Sequence, residues 1–283
     1  MVELTEEGTS KYVELNDGVK VHYNEAGEGH PVILLHGSGA GATGWSNFRG
    51  NIPALAQRFR VLAVDLPGWG KSDPVANRAF KHPEQVIELM DALGLEKAAL
   101  VGNSMGGVVS IATAARYPDR VSHLVTMGAA AMTGIPTLFG AGDGPTEGIK
   151  VLVGAYANPS FETMKKLCEI MAFDPALASD ELVELRVEAA KAHPDHLANG
   201  LHAFMHGGPV PYQASAEEIA SITAPALLVH GRDDRVVHYE HTLRLVAAIP
   251  SSRAVLLNRC GHWAQIEHAA EFNRMVVDFV ENN

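Results

Sequence analysis

Gly102-Asn103-Ser104-Met105-Gly106 decides the reading of this chain. The stretch has the form G-x-S-x-G. An apolar run, Ala98-Ala99-Leu100-Val101, precedes it, and a helix-compatible run from Gly107 to Arg116 follows. A serine on a sharp turn between a buried strand and a helix presents its hydroxyl outward, and small flanking residues let the turn close. The helix N-terminus directs partial positive charge at the same place. Alone, the pattern also arises by chance in turns. Its flanks and its downstream partners give this one weight.

Outward from the serine, strands and helices alternate. Residues 11–15 and 19–24 read as a hairpin around Asn16-Asp17-Gly18. Residues 31–35, 59–65, 98–102, 121–127, 226–230 and 254–258 are short apolar runs, the composition of strands buried on both faces. Helical spacing marks residues 83–93, 104–117, 241–248 and 267–280. Alternation of this kind predicts a mostly parallel sheet with right-handed crossovers and helices on its faces. The alternation stops between residues 131 and 212, where helical patterns at 149–157, 160–173, 179–193 and 196–206 follow one another without a strand. This predicts a helical cap over residues 132–211, inserted between core segments 1–131 and 212–283. Ligands of open α/β sheets bind beyond the carboxyl ends of the strands, so such a cap would roof the site.

Composition narrows the partners. The chain has 283 residues, 47% of them hydrophobic, enough for a full core. Its formal net charge of −11 disfavours nucleic acid and anionic membranes. No apolar run approaches the ~20 residues of a membrane span. The polar, acidic start, Met1 to Lys11, does not resemble a secretory signal, which leaves the cytoplasm as the expected compartment. Cys168 and Cys260 fit no metal or redox spacing and read as reduced structural thiols. His202 and His206 stand at i, i+4, but no third ligand has matching spacing, so no metal or cofactor is expected.

A serine hydroxyl needs a base, and the base needs an orienting carboxylate. His262, in Cys260-Gly261-His262-Trp263, follows the last strand. Gly231-Arg232-Asp233-Asp234 follows the strand before it. Each partner therefore occupies a loop at the carboxyl end of a strand. Developing negative charge on an attacked carbonyl needs two donors. The N–H of Met105 is one candidate. The other is the N–H of Ser38 in the glycine-rich loop His36-Gly37-Ser38-Gly39-Ala40-Gly41. Singly, each feature has a bland alternative: a packed histidine, a solvated turn. Together, and in this order, they point to acyl-transfer-like hydrolysis.

The order serine, aspartate, histidine is that of the α/β-hydrolase fold, and the chain resembles that superfamily along nearly its whole length. More closely it resembles the meta-cleavage product hydrolases, which cleave carbon–carbon bonds in aromatic-ring degradation. The likeness rests on Leu35 to Gly41 with Gly44-Trp45-Ser46-Asn47, on Val101 to Gly107, on Gly231 to Arg235, on Cys260 to Gln265, and on Glu184-Leu185-Arg186-Val187-Glu188-Ala189. The resemblance implies an α/β-hydrolase fold with a mostly parallel eight-stranded sheet and a helical cap. It implies a small anionic substrate, a 2-hydroxy-6-oxohexa-2,4-dienoate carrying an aryl or bulky group at C6, and a homo-oligomer. It places the nucleophile at Ser104, the base at His262 and the carboxylate at Asp234 rather than Asp233. It puts Arg186 on the substrate carboxylate, with Asn103, Asn47, Trp263, Gly37 and Gly39 around the polar end. From spacing alone Arg186 would be a surface residue paired with Glu181, Glu184 or Glu188. Ala40 and His238 stand where the family often has proline, and the stretch 204–215 is shorter and richer in glycine and proline. Two rival functions share these residues: a carboxylesterase or lactonase, which needs no carboxylate clamp, and a binding protein that no longer turns over.

Overall fold

A computed structural model describes residues 4–75, 80–130, 137–140, 145–205 and 212–283. Eight strands form one sheet: β1 (Ser10–Glu14), β2 (Lys20–Ala26), β3 (Pro31–Leu35), β4 (Arg60–Val64), β5 (Ala98–Asn103), β6 (Val121–Met127), β7 (Ala226–Gly231) and β8 (Ser252–Leu257). Their order across the sheet is β1-β2-β4-β3-β5-β6-β7-β8. The first two pairings, β1 with β2 and β2 with β4, are antiparallel, and every other pairing is parallel. All eight expected strands form, β3 and β6 with the expected bounds and the others with an end shifted by one or two residues.

The central strands bury both faces. Side chains alternate along a strand, so Ile33, Leu35 and Leu100 meet the helical layer of Val86, Val109 and Leu245. Val32, Leu34 and Val101 meet the opposite layer of Phe48, Ile52, Phe272 and Val276. This is why the runs are continuously apolar rather than alternating. The chain turns one way from β3 to β4 and the other way to β5, and ligands bind beyond the strand ends at such a reversal.

Four helices, Glu147–Ala157, Phe161–Met171, Asp180–Ala192 and Pro194–Met205, lie between β6 and β7. Thr146, Ser160 and Ser179 cap the first three through their side-chain oxygens, which accept backbone N–H groups of the opening turn. Leu152, Met164, Leu167, Cys168 and Val183 give these helices a core of their own, which also takes in Trp263 and Val236 from the sheet domain. The expected limits of the cap, residues 132 and 211, and His206 lie outside the described residues, as does much of the stretch 204–215. The expected closing helix at 267–280 is two helices, Ala264–Glu267 and Ala269–Asn282, because His268 leaves helical geometry at φ −119°, ψ 40°. No described helix is long and apolar enough to cross a membrane.

Candidate active site

β5 ends at Asn103 and a helix begins at Met105. Ser104 stands between them at φ 52°, ψ −115°, a conformation that residues with a side chain seldom adopt. Glycines on either side permit the turn. A Cβ on Gly106 would run into the Leu35 carbonyl, and one on Gly102 into the Gly106 carbonyl. The Ser104 N–H donates to the Met127 carbonyl at 2.8 Å, tying the elbow to β6.

The loop after β7 brings Asp234 to the loop after β8. His262 Nδ1 donates to Asp234 Oδ2 at 2.7 Å, with the side chains 2% and 0% exposed. The other carboxylate oxygen accepts the N–H groups of Val236 at 2.7 Å and Val237 at 2.9 Å. Burial alone would raise the Asp234 pKa. The neighbouring His262 and the hydrogen bonds from His230 and His262 outweigh it and hold the carboxyl well below the usual carboxylate range. Asp233 has no hydrogen bond to His262 among the described residues, and its carboxylate lies 3.9 Å from Arg232.

His262 and Ser104 border one cavity of about 170 Å³. Among the described residues no hydrogen bond joins the Ser104 hydroxyl to the imidazole. Such contacts are often long in free enzymes and tighten around substrate. The His262 N–H donates to the Met171 carbonyl at 2.7 Å, so the cap touches the base as well.

Ser38 and Met105 border the same cavity. The Met105 N–H belongs to the first turn of its helix, where backbone donors have no intrahelical acceptor. Side chains brace three carbonyls of the glycine-rich loop. His36 Nδ1 donates to the Gly37 carbonyl at 2.8 Å, the Tyr156 hydroxyl donates to the Ser38 carbonyl, and Arg186 reaches the Ala40 carbonyl at 3.4 Å. The His36 Nε2 accepts the Leu66 N–H at 3.0 Å, so this ring is neutral with its proton on Nδ1. Burial lowers its pKa in the same sense.

Arg186 is 1% exposed and is not the surface residue that helical spacing suggests. Glu181 pairs with Arg49 instead, at 2.7 Å. The guanidinium lies 4.9 Å above the Trp263 ring and beside Gly39. No carboxylate pairs with it among the described residues, and its Nε has no partner. Burial pulls its pKa down, yet a guanidinium stays protonated at neutral pH. A buried cation without a counter-ion costs several kcal/mol, which marks the place for an anion. Asn103 and Asn47 border the same cavity, each with a buried side-chain oxygen that has no partner. Asn103 also donates to the His262 carbonyl at 3.2 Å. Thus Gly37, Ser38, Gly39, Asn47, Asn103, Ser104, Met105, Arg186, His262 and Trp263 all line one cavity, and Asp234 stands behind His262.

Sequence reasoning missed three supports. His230 Nε2 lies 3.1 Å from Asp234 Oδ2 and 2.9 Å from the Val237 carbonyl; a carbonyl only accepts, so this nitrogen carries the proton. The Thr242 hydroxyl meets Nδ1 at 2.7 Å. A signal existed, since a histidine in a wholly apolar strand must find partners. His36 as a brace and Tyr156 as its counterpart on the cap carry no comparable local mark.

A serine elbow, a buried carboxylate–imidazole pair and two backbone N–H candidates beside one cavity describe a hydrolase of the α/β class. A family model described as alpha/beta hydrolase fold matches residues 30–269. A 2-hydroxy-6-oxononadienedioate/2-hydroxy-6-oxononatrienedioate hydrolase of Cupriavidus pinatubonensis is 44% identical, covering 99% of this chain and 98% of that one. A 2-hydroxy-6-oxo-6-phenylhexa-2,4-dienoate hydrolase of Burkholderia cepacia is 42% identical, with 100% of both chains covered. The solved structure of a mutant meta-cleavage product hydrolase from Pseudomonas fluorescens IP01, complexed with acetates, superposes with a TM-score of 0.84 at 39% identity, covering 96% of this chain and 98% of that one. The chain belongs to the α/β-hydrolase family and, within it, to the meta-cleavage product hydrolases.

Proposed function

We propose that this chain hydrolyses the C5–C6 bond of a 2-hydroxy-6-oxohexa-2,4-dienoate, giving 2-hydroxypenta-2,4-dienoate and a carboxylic acid. The observation that carries the reading is Arg186, a buried cation with no counter-ion among the described residues, in the cavity of Ser104 and His262. A guanidinium holds a carboxylate through two parallel hydrogen bonds. Arg186 would fix the dienoate carboxylate and its neighbouring oxygen, with Asn103, Asn47 and Trp263 around them. Carbon–carbon cleavage requires a stabilised leaving carbanion. A proton added at C5 converts the dienol to its keto tautomer, so that the leaving fragment departs as an enolate. Attack at C6 comes from Ser104 or from water that His262 activates; both routes use this base, with Asp234 fixing its tautomer. Both also develop an oxyanion at C6 for the N–H groups of Ser38 and Met105. Overall, water gives its hydroxyl to the acyl carbon and its proton to the dienoate fragment. In the same proposal residues 132–211 form the lid, and the chain works in the cytoplasm as a homo-oligomer.

Arg186→Gln tests the clamp. Losing one partner of a buried charge pair costs about 2–5 kcal/mol, or roughly 30- to 5,000-fold in kcat/KM for the dienoate. Turnover of a small neutral ester should fall far less, by no more than the long bond from Arg186 to the Ala40 carbonyl contributes. An equal loss on both substrates would favour a general esterase site with a structural arginine.

The rest of the lining narrows the C6 group. Besides the residues already named it consists of Val108, Ala130, Ile149, Leu152, Met171, Val236 and Val237, with Tyr212 and Gln213. Among the described residues Arg186 is the only lysine or arginine lining the cavity. A substituent ending in a second carboxylate would be desolvated there without a cation, which costs at least ~2 kcal/mol. The phenyl-substituted dienoate is therefore expected to exceed the nonadienedioate in kcat/KM by about 30-fold or more. A side-by-side assay of the two substrates checks this, and equal or better turnover of the dicarboxylate would refute the neutral lining.

A further inference from the structure

Tyr156 stands on the cap helix Glu147–Ala157 and is 3% exposed. Its hydroxyl donates to the Ser38 carbonyl and accepts the Trp69 indole N–H at 3.3 Å. Both directions are fixed, because a carbonyl cannot donate and an indole nitrogen cannot accept. The ring is wedged against helix Pro194–Met205, where a Cβ on Gly200 would collide with it. Burial pushes the hydroxyl above its ordinary pKa, so it keeps its proton for this bond.

Two peptide planes flank Ser38. The first carries the Gly37 carbonyl and the Ser38 N–H, and His36 of the core holds it. The second carries the Ser38 carbonyl and the Gly39 N–H, and Tyr156 of the cap holds it. In a trans peptide the C=O and N–H groups point in opposite directions. The His36 bond therefore sets the plane that bears the Ser38 N–H, and the Tyr156 bond sets the plane that follows it, so that together they pin Ser38 on both sides and loss of either frees rotation about it. The side chain of Ser38 is small and adds little constraint, so these two bonds set the loop. Arg186, also from the cap, reaches the next free carbonyl, that of Ala40.

We propose that Tyr156 is a positioning residue through which the cap sets the orientation of Ser38, so that the oxyanion site is complete only while the cap is seated. The inference rests on reading the Ser38 N–H as an oxyanion donor. It makes closure over the substrate and assembly of the electrostatic site a single event. Tyr156 touches neither substrate nor reacting atoms in this role.

Tyr156→Phe keeps the ring and removes one hydroxyl. Loss of a whole oxyanion donor costs about 10²–10³ in kcat. A donor left in place but misaimed should cost roughly tenfold or more in kcat, with KM within about twofold. Phenylboronic acid, whose tetrahedral adduct on Ser104 places an oxygen in the oxyanion site, should lose affinity in proportion to kcat. Binding of the dienoate, measured with Ser104→Ala as the parent, should not change when Tyr156→Phe is added. Gly200→Ala, which pushes the ring from the cap side, should reproduce this split and keeps the test open if Tyr156→Phe does not fold. Unchanged kcat, or a loss shared equally by dienoate binding and kcat, would overturn the proposal. Boronate affinity is read without any dienoate, so failure of the substrate reading and failure of the tether give different results.

Discussion

Replacing Ser104 with alanine is expected to cut hydrolysis of the dienoate by about 10⁴-fold or more while leaving the substrate bound with unchanged affinity. The serine backbone is held by the Met127 carbonyl and by the close approach of Gly102 and Gly106, none of which involves the hydroxyl. Removing that oxygen therefore spares the fold. The carboxylate clamp proposed above is Arg186, a different residue of the same cavity, so the ground-state complex should survive. What disappears is the proposed nucleophile, the hydroxyl that shares the cavity with His262, Ser38 and Met105. Loss of dienolate absorbance on mixing measures turnover, and titration under the same conditions measures binding. Steady-state hydrolysis at the parent rate would remove Ser104 from the mechanism. A parent protein that binds the dienolate stoichiometrically and never bleaches it would instead be a receptor built on a hydrolase fold.

Asp234→Asn should be nearly as damaging, costing about 10³–10⁴ in kcat, whereas Asp233→Asn should stay within about threefold of the parent, the usual scale for a surface change. The asymmetry follows from hydrogen bonds. Oδ1 of Asp234 accepts two backbone N–H groups, from Val236 and Val237. An asparagine must keep its carbonyl oxygen there, because an amide NH₂ cannot accept. Its NH₂ would then face His262 Nδ1 and the proton-bearing Nε2 of His230. The imidazole would be driven to the tautomer with its proton on Nε2, where it cannot act as a base toward Ser104. Among the described residues Asp233 has no such partners: its Oδ1 lies 3.9 Å from Arg232 and its Oδ2 accepts no hydrogen bond. Parallel kcat measurements on the two variants decide the matter, and the reverse ranking would move the assignment by one residue.

Much of this arrangement was legible before any coordinates. The serine, the aspartate and the histidine each follow a run of apolar residues too short for a buried helix, and a parallel sheet delivers the ends of such runs to one edge. Hence the elbow, the Asp234 loop and the His262 loop could be placed by chain order alone. Arg186 could not. Its helix is flanked by glutamates at spacing suited to surface pairs, and nothing local reveals that the helix turns this one residue inward over Trp263. Only the likeness to a known family pointed there. Tyr156 and His36 were invisible for a related reason. Their hydrogen bonds run to backbone carbonyls, and a carbonyl has no sequence identity. Strand ends slipped by a residue or two because pairing with neighbours, not composition, determines where a strand stops.

Ser104 combines a bulky enough side chain with a positive φ of 52°, a posture that costs of order 1–3 kcal/mol. The surrounding glycines tolerate it but do not relieve it. Glycine at this position would relax the chain and raise its resistance to heat while abolishing chemistry. Thermal robustness and turnover therefore pull this single position in opposite directions.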